Sequence, residues 1–196
     1  MNRFILLLIV VALAITPAAS FSATYAIDPD HSSIQFKVRH LMVSNVKGVF
    51  GKVSGTIDLN DQDIAKSKTS VSIETASINT GVTKRDEHLR SADFFDVAKY
   101  PQMTFSSRKV HRTGANTLAL TGDLTIRGIT REVVLDVEGP TAEVKDPWGN
   151  FRRGASATTR INRKDFGLAW NKAMETGGVV VGDEVTISLE VEMIRK

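Results

Sequence analysis

The sequence predicts an all-β domain, an eight-stranded antiparallel extended barrel with one short helix, and three observations carry that expectation. Apolar and polar residues alternate in segment after segment, so that one face of each strand meets a core and the other meets water. Turn residues interrupt the alternation at short intervals, and short connections favour antiparallel neighbours. Leu118 to Ile126 and Glu184 to Met193 alternate long enough to span roughly 30 Å at 3.3 Å per residue, and strands of that length leave exposed edges unless the sheet closes.

The chain opens on a segment that stands apart from this pattern. Met1-Asn2-Arg3 carries one positive charge, Phe4 to Ile15 is uncharged and almost wholly apolar, and Thr16-Pro17 precedes a run of small residues ending near Ser22 or Ala23. That is the pattern of a secretory signal peptide, residues 1–22, whose 12-residue apolar run Phe4 to Ile15 is too short to span a bilayer, which takes roughly 20 apolar residues. Residues 23–196 are then one exported domain, expected in the periplasm.

Eight strands follow. Ile34, Phe36 and Val38 alternate with Gln35, Lys37 and Arg39; Val53, Gly55, Ile57 and Leu59 with Ser54, Thr56 and Asp58. Val71 with Ile73 and Met103 with Phe105 repeat the pattern in shorter form. Leu118, Leu120, Gly122, Leu124 and Ile126 make a long strand, and Val133, Leu135 and Val137 another. Ala155, Ala157, Thr159 and Ile161 make a weaker one, and Val185, Ile187, Leu189, Val191 and Met193 the last. Asn60-Asp61, Thr113 to Asn116, Arg127-Gly128, Gly139-Pro140, Asp146 to Asn150, Gly177-Gly178 and Gly182-Asp183 supply turns. Thr83 to Ser91 reads as a helix, with Thr83 as N-cap and an Asp86 to Arg90 pair four residues apart.

Composition narrows the function. Removing Arg3 with the leader takes the net charge from +3 to +2, which argues against nucleic acid as a partner, since such proteins carry a large clustered basic excess. There is no cysteine, hence no disulfide, thiolate metal site or cysteine nucleophile, and the domain is stable by core burial. His31, His40, His88 and His111 show no H-x-x-H or H-E-x-x-H spacing, so no metal and no cofactor is expected. The dense run Arg85 to Asp96 reads as an ion-pair network over a barrel end, and Arg152, Arg153, Arg160, Arg163 and Lys164 as a solvated or acid-paired face, with contact to anionic lipid headgroups as its functional alternative. Trp148 and Trp170 read as loop and core anchors, Trp170 equally as a residue at a cavity mouth.

An eight-stranded barrel is either filled by side chains or holds one small ligand. The inward set mixes the small Gly55, Gly122, Ala155 and Ala157 with the larger Phe36, Phe105, Leu120 and Ile187, which leaves room for an apolar cavity. Gly122→Phe is accordingly expected to block uptake in a barrel that still folds.

The motifs Phe36-Lys-Val-Arg-His40-Leu41, Val46-Lys-Gly48-Val-Phe50, Arg85 to Phe95, Lys99-Tyr100-Pro101, Gly122 to Thr130, Asp146-Pro-Trp-Gly149, Asn162 to Gly167 and Gly182 to Val185 resemble, in order, the YceI-like family of periplasmic polyisoprenoid-binding proteins. The resemblance implies a lipocalin-like barrel that binds, sequesters or transports a long-chain isoprenoid lipid, a polyisoprenoid or an isoprenoid quinone, with no catalytic residue. It places Phe36, Phe50, Phe94, Phe95 and Phe105 at the cavity border. With the inward positions Val38, Ile57, Ile73, Met103, Leu120, Leu135, Ile187 and Leu189, and with Gly55, Gly122, Ala157 and Trp170, these are the candidate cavity-lining residues. Transient membrane contact and a homodimer stay open. Two rival readings are a hydrolase or isomerase acting on a lipid-like or amide substrate through His88 and Asp93, and a stress-response barrel without ligand.

Overall fold

The computed structural model describes residues 22–175 and 177–196, so the leader read over residues 1–22 lies, except for Ser22, outside the described residues. Among the described residues there are twelve strands: β1 (Ser22–Ile27), β2 (Ser33–His40), β3 (Ser44–Phe50), β4 (Val53–Asn60), β5 (Lys68–Glu74), β6 (Ile78–Asn79), β7 (Gln102–Arg112), β8 (Thr117–Ile126), β9 (Ile129–Glu138), β10 (Val144–Lys145), β11 (Phe151–Asn162) and β12 (Val181–Arg195). One α-helix among them, α1 (Thr83–Arg90), lies between β6 and β7.

The pairing order closes. β1 pairs with β4, then β5, β7, β8, β9, β11 and β12 follow as antiparallel neighbours, and β12 returns to β1. This is the expected eight-stranded barrel. Its extension comes from three strands that continue their predecessors past a corner. β12 pairs with β1 at Met193 to Arg195 and with β2 from Val181 to Glu190. In the same way β3 prolongs β4 and β6 prolongs β5. The eight-strand reading missed β1, β3, β6 and β10: β1 adjoins the segment read as a leader, Gly48 followed by Val49 and Phe50 interrupts the alternation of β3, and β6 and β10 are two residues each.

Glycines let aromatic rings lie against the sheet. Phe36 stands opposite Gly48, and a Cβ on Gly48 would come within 2.5 Å of the Phe36 ring. Phe105 covers Gly122, where a Cβ would meet the ring at 2.5 Å and the Ser106 carbonyl at 2.6 Å. Gly55 is filled likewise by Ile27 and the Ser70 carbonyl. Small inward residues at Gly55 and Gly122 therefore do not open space, which corrects the expectation placed on them: their room is already taken by neighbours, as close packing requires.

Other local readings also change. Gly182-Asp183 is no turn but a register shift inside β12, between Val181 and Val185. Thr83 is the first helical residue, and the cap position belongs to Val82, which has no side-chain bond. Asp86 does not pair with Arg90: it is buried and accepts from the Thr80 amide at 2.9 Å and the Thr80 hydroxyl at 2.5 Å. Arg90 turns instead to the carbonyls of Ala76 and Ile78, pinning α1 to β6. The helix is thus held by hydrogen bonds to backbone and threonine, and within Arg85 to Asp96 the described residues form one ion pair, His88 with Asp93, rather than a network.

Candidate functional site: an apolar cavity along the barrel

Inward side chains from every strand of the ring enclose a cavity of about 280 Å³. Its wall runs from Leu59, Ile64 and Met193 at one end to Leu168, Val181 and the helix-borne Leu89 at the other. The wall is apolar apart from Ser32, Gln35, Ser67, Thr69, Ser156, Thr159 and Arg163. Several wall residues, among them Leu120, Val133, Ile187 and Leu189, keep partial exposure although they point inward, because the surface they expose is the cavity itself. The strand period of two produces this wall: each inward residue is flanked by an outward polar one.

Of the residues singled out from the sequence, Phe36, Val38, Phe50, Ile57, Ile73, Phe94, Phe95, Met103, Phe105, Leu120, Leu135, Ala157, Ile187 and Leu189 line the cavity. Gly55, Gly122 and Trp170 do not. Trp170 is half-buried outside the wall, its ring 5.2 Å from Phe94 and 4.9 Å from His88. Trp148 is 81% exposed and anchors nothing by burial. Sequence reasoning missed Val181, Leu168 and Leu89 on the wall; they lie in a bulged strand, a loop and a polar helix, where no alternation announces them.

The helix-covered end is built by arginines that donate to backbone carbonyls. Arg127 bridges Gly167 and Ala92 at 2.7 and 2.8 Å. Arg163, 3% exposed, uses its whole guanidinium: Nε to Gly182, one terminal nitrogen to Leu168 and Trp170, the other to Val181 and the Asp183 carboxylate. Burial pulls its pKa below the usual arginine value while Asp183 opposes that. Arg163 thus closes the segment Leu168 to Val181 over the barrel, and with all five N–H groups engaged it has no donor left for a ligand.

The remaining basic residues are also paired inside the protein. Arg152 bonds Asp28, Asp146 and Glu192, and its guanidinium holds the Asp28 carboxyl down at about 2. Arg153 grips Asp61 with two bonds, Lys164 meets Asp183, and Arg160 lies 3.9 Å from Glu184. Asp28, His31 and Glu192 converge closely enough to hold a metal, but Arg152 already donates to both carboxylates there, and its positive charge opposes a second cation.

His88 and Asp93 do meet, Nε2 to Oδ2 at 2.9 Å. Both are substantially exposed, neither lines the cavity, and the His88 ring stands edge-on to Phe94, whose own ring is part of the wall. The pair faces solvent and is separated from the cavity by an aromatic ring.

Barrel, covered end and apolar interior together define an internal-cavity β-barrel of the lipocalin type. The model of the YceI-like domain matches residues 25–193, nearly the whole described chain, and the protein belongs to that family. Protein YceI of Escherichia coli O6:H1 is 38% identical over 170 residues, covering 86% of this chain and 88% of that protein. Among solved structures, the Campylobacter jejuni YceI protein superposes with a TM-score of 0.68 at 37% identity, over 80% of this chain and 89% of that one. A domain from Saccharophagus degradans, described as a polyisoprenoid binding domain implicated in plant cell wall breakdown, shares the fold at a TM-score of 0.65 and 15% identity, over 89% of this chain and 99% of that one.

Proposed function

We propose that the protein binds one long-chain isoprenoid lipid, a polyisoprenoid or an isoprenoid quinone, inside the barrel, and carries or sequesters it in the periplasm after export through the segment 1–22. The observation that carries this reading is the cavity: lined predominantly by apolar side chains and, among the described residues, without a catalytic set of polar groups converging on it. A hydrolytic site would need such a set, whereas an isoprenoid needs only length and apolar contact. The polyisoprenoid binding described for the Saccharophagus domain supports the same ligand class.

Energetics fit. Removing several hundred Å² of apolar ligand surface from water yields a gross gain on the order of 10 kcal/mol at about 25 cal/mol per Å², from which association and ordering costs subtract. Branched C5 units have almost no hydrogen-bonding groups, so nothing polar is stranded in the wall. Selectivity for chain length is weak on this account, because each added unit contributes the same kind of contact.

Titration of the delipidated protein with a fluorescent polyprenol tests the proposal. Saturable uptake at one lipid per chain, displaced by unlabelled polyprenol, is the expected result. A protein that takes up neither compound would be a filled barrel, and the assignment would fail.

A further inference from the structure

We propose that the tip of the β2–β3 hairpin, with the basic strip behind it, docks the protein on an anionic phospholipid surface, the helix-covered end of the barrel facing that surface. The inference stands independently of what the cavity holds.

Leu41, Met42 and Val43 form the tip and are 39%, 49% and 76% exposed. Leu41 and Met42 both have left-handed backbone, with φ of 50° and 59°. Such positions select Gly, Asn or Asp, because a Cβ is disfavoured there. Two large apolar side chains in succession work against the local backbone; Met42 lies against Gly178 of the covering segment, yet all three tip residues keep more than a third of their surface in water. Strain of this kind marks a position kept for a task other than folding.

Charge supplies the second, independent observation. From His31 to Ile57 the sequence contains no aspartate or glutamate. Lys37 and Lys47 stand directly opposite each other on β2 and β3, a like-charge pairing that weakens a ladder. Arg39, on the same face as Lys37, bonds only the Met42 carbonyl, and neither lysine has an acidic partner among the described residues. Three uncompensated cations therefore lie on the outer face beside an apolar tip, the arrangement that adsorbs to anionic headgroups while inserting apolar side chains at their boundary. The acids of this end are Glu175 in the covering loop, Glu87 on α1, Asp93 against His88, Asp165 beside Arg163, Asp183, which already bonds Arg163 and Lys164, and Glu184, which faces Arg160; among the described residues none of them pairs with Lys37, Arg39 or Lys47.

Trp148 makes the contrasting case. It too projects from a hairpin, with Val144 and Phe151 nearby, but at the opposite end of β11, where Asp146, Asp28 and Glu192 surround Arg152 and Glu143 meets Arg195. There the four acids Asp28, Glu143, Asp146 and Glu192 outnumber Arg152, Arg195 and Lys145, so the hairpin offers an anionic surface no net attraction. The β2–β3 tip, by contrast, is bonded to the covering segment through the Leu41 amide and the Val180 carbonyl at 2.8 Å, beside the wall residues Val38 and Val181. Docking there sets one end of the cavity against the bilayer.

The test is co-sedimentation of the leader-free protein with vesicles of phosphatidylglycerol and phosphatidylcholine, and with phosphatidylcholine alone. The double change Leu41→Asn with Met42→Gly suits the left-handed backbone, so it should raise the thermal midpoint while lowering partition onto anionic vesicles by about tenfold. Lys37→Gln, Arg39→Gln and Lys47→Gln together should erase the preference for anionic over neutral vesicles, as should raising the salt toward 1 M. Trp148→Ala should leave partition unchanged. The proposal is overturned if the parent protein ignores anionic vesicles, if the Asn-Gly variant binds as the parent does, or if Trp148→Ala alone abolishes binding. It is overturned equally if the tip mediates self-association in solution with no vesicle binding.

Discussion

Ala157→Phe is expected to reduce polyprenol uptake by about tenfold or more, roughly 1.4 kcal/mol or greater, in a barrel that still folds. Ala157 sits on β11 between Val137 and Leu189, and its methyl is one of the smallest side chains on the wall. A phenyl ring there enters empty space and takes up a large part of a 280 Å³ cavity. Stability should stay within about 1.5 kcal/mol of the parent, as for substitutions that do not overfill a core. Gly122→Phe is the opposite case. Its Cβ alone would collide with Phe105 and the Ser106 carbonyl, so the ring has nowhere to go, and the barrel should lose about 3 kcal/mol or more. Urea unfolding beside the uptake assay separates the two. If Gly122→Phe folds normally and merely blocks uptake, the packing described around Phe105 is wrong.

Arg163→Met should cost about 3–5 kcal/mol, because it strips donors from several backbone carbonyls at the covered barrel end and an unsatisfied buried acceptor costs about 1–3 kcal/mol. The carbonyls of Leu168, Trp170 and Gly182 lose the guanidinium as donor, that of Val181 keeps only the Asn171 amide, and Asp183 keeps only Lys164. The loss should be local before it is global: amides from Leu168 to Val181 should exchange much faster than those of β8. A variant with parental stability and unchanged exchange in that segment would show that the guanidinium does not hold the barrel end.

How far the sequence disclosed this structure follows from periodicity. Wherever strands alternate regularly, as in β8 and β12, both their existence and their inward face could be read directly, and most wall residues follow from that face. Gly48, Gly55 and Gly122 could not be interpreted so, because an inward glycine means open space or a neighbour's ring depending on what lies across the sheet. Here Phe36, Ile27 and Phe105 fill the room, and only pairing registers reveal it. Arg163 was equally opaque: in sequence it belongs to a basic run, and its burial beneath Leu168 to Val181 depends on contacts no local pattern encodes. Trp170 belongs to the same segment, which explains why its placement beside Phe94 and His88, off the wall, was not legible either.

The measurement that bears most directly on the central claim is native mass spectrometry of the protein purified from its own organism, followed by solvent extraction and lipid analysis of what is released. The account predicts one added mass per chain that resolves to an isoprenoid, and its loss in the Ala157→Phe variant. A bare protein, or an added mass that is not an isoprenoid and that Ala157→Phe retains, would contradict it.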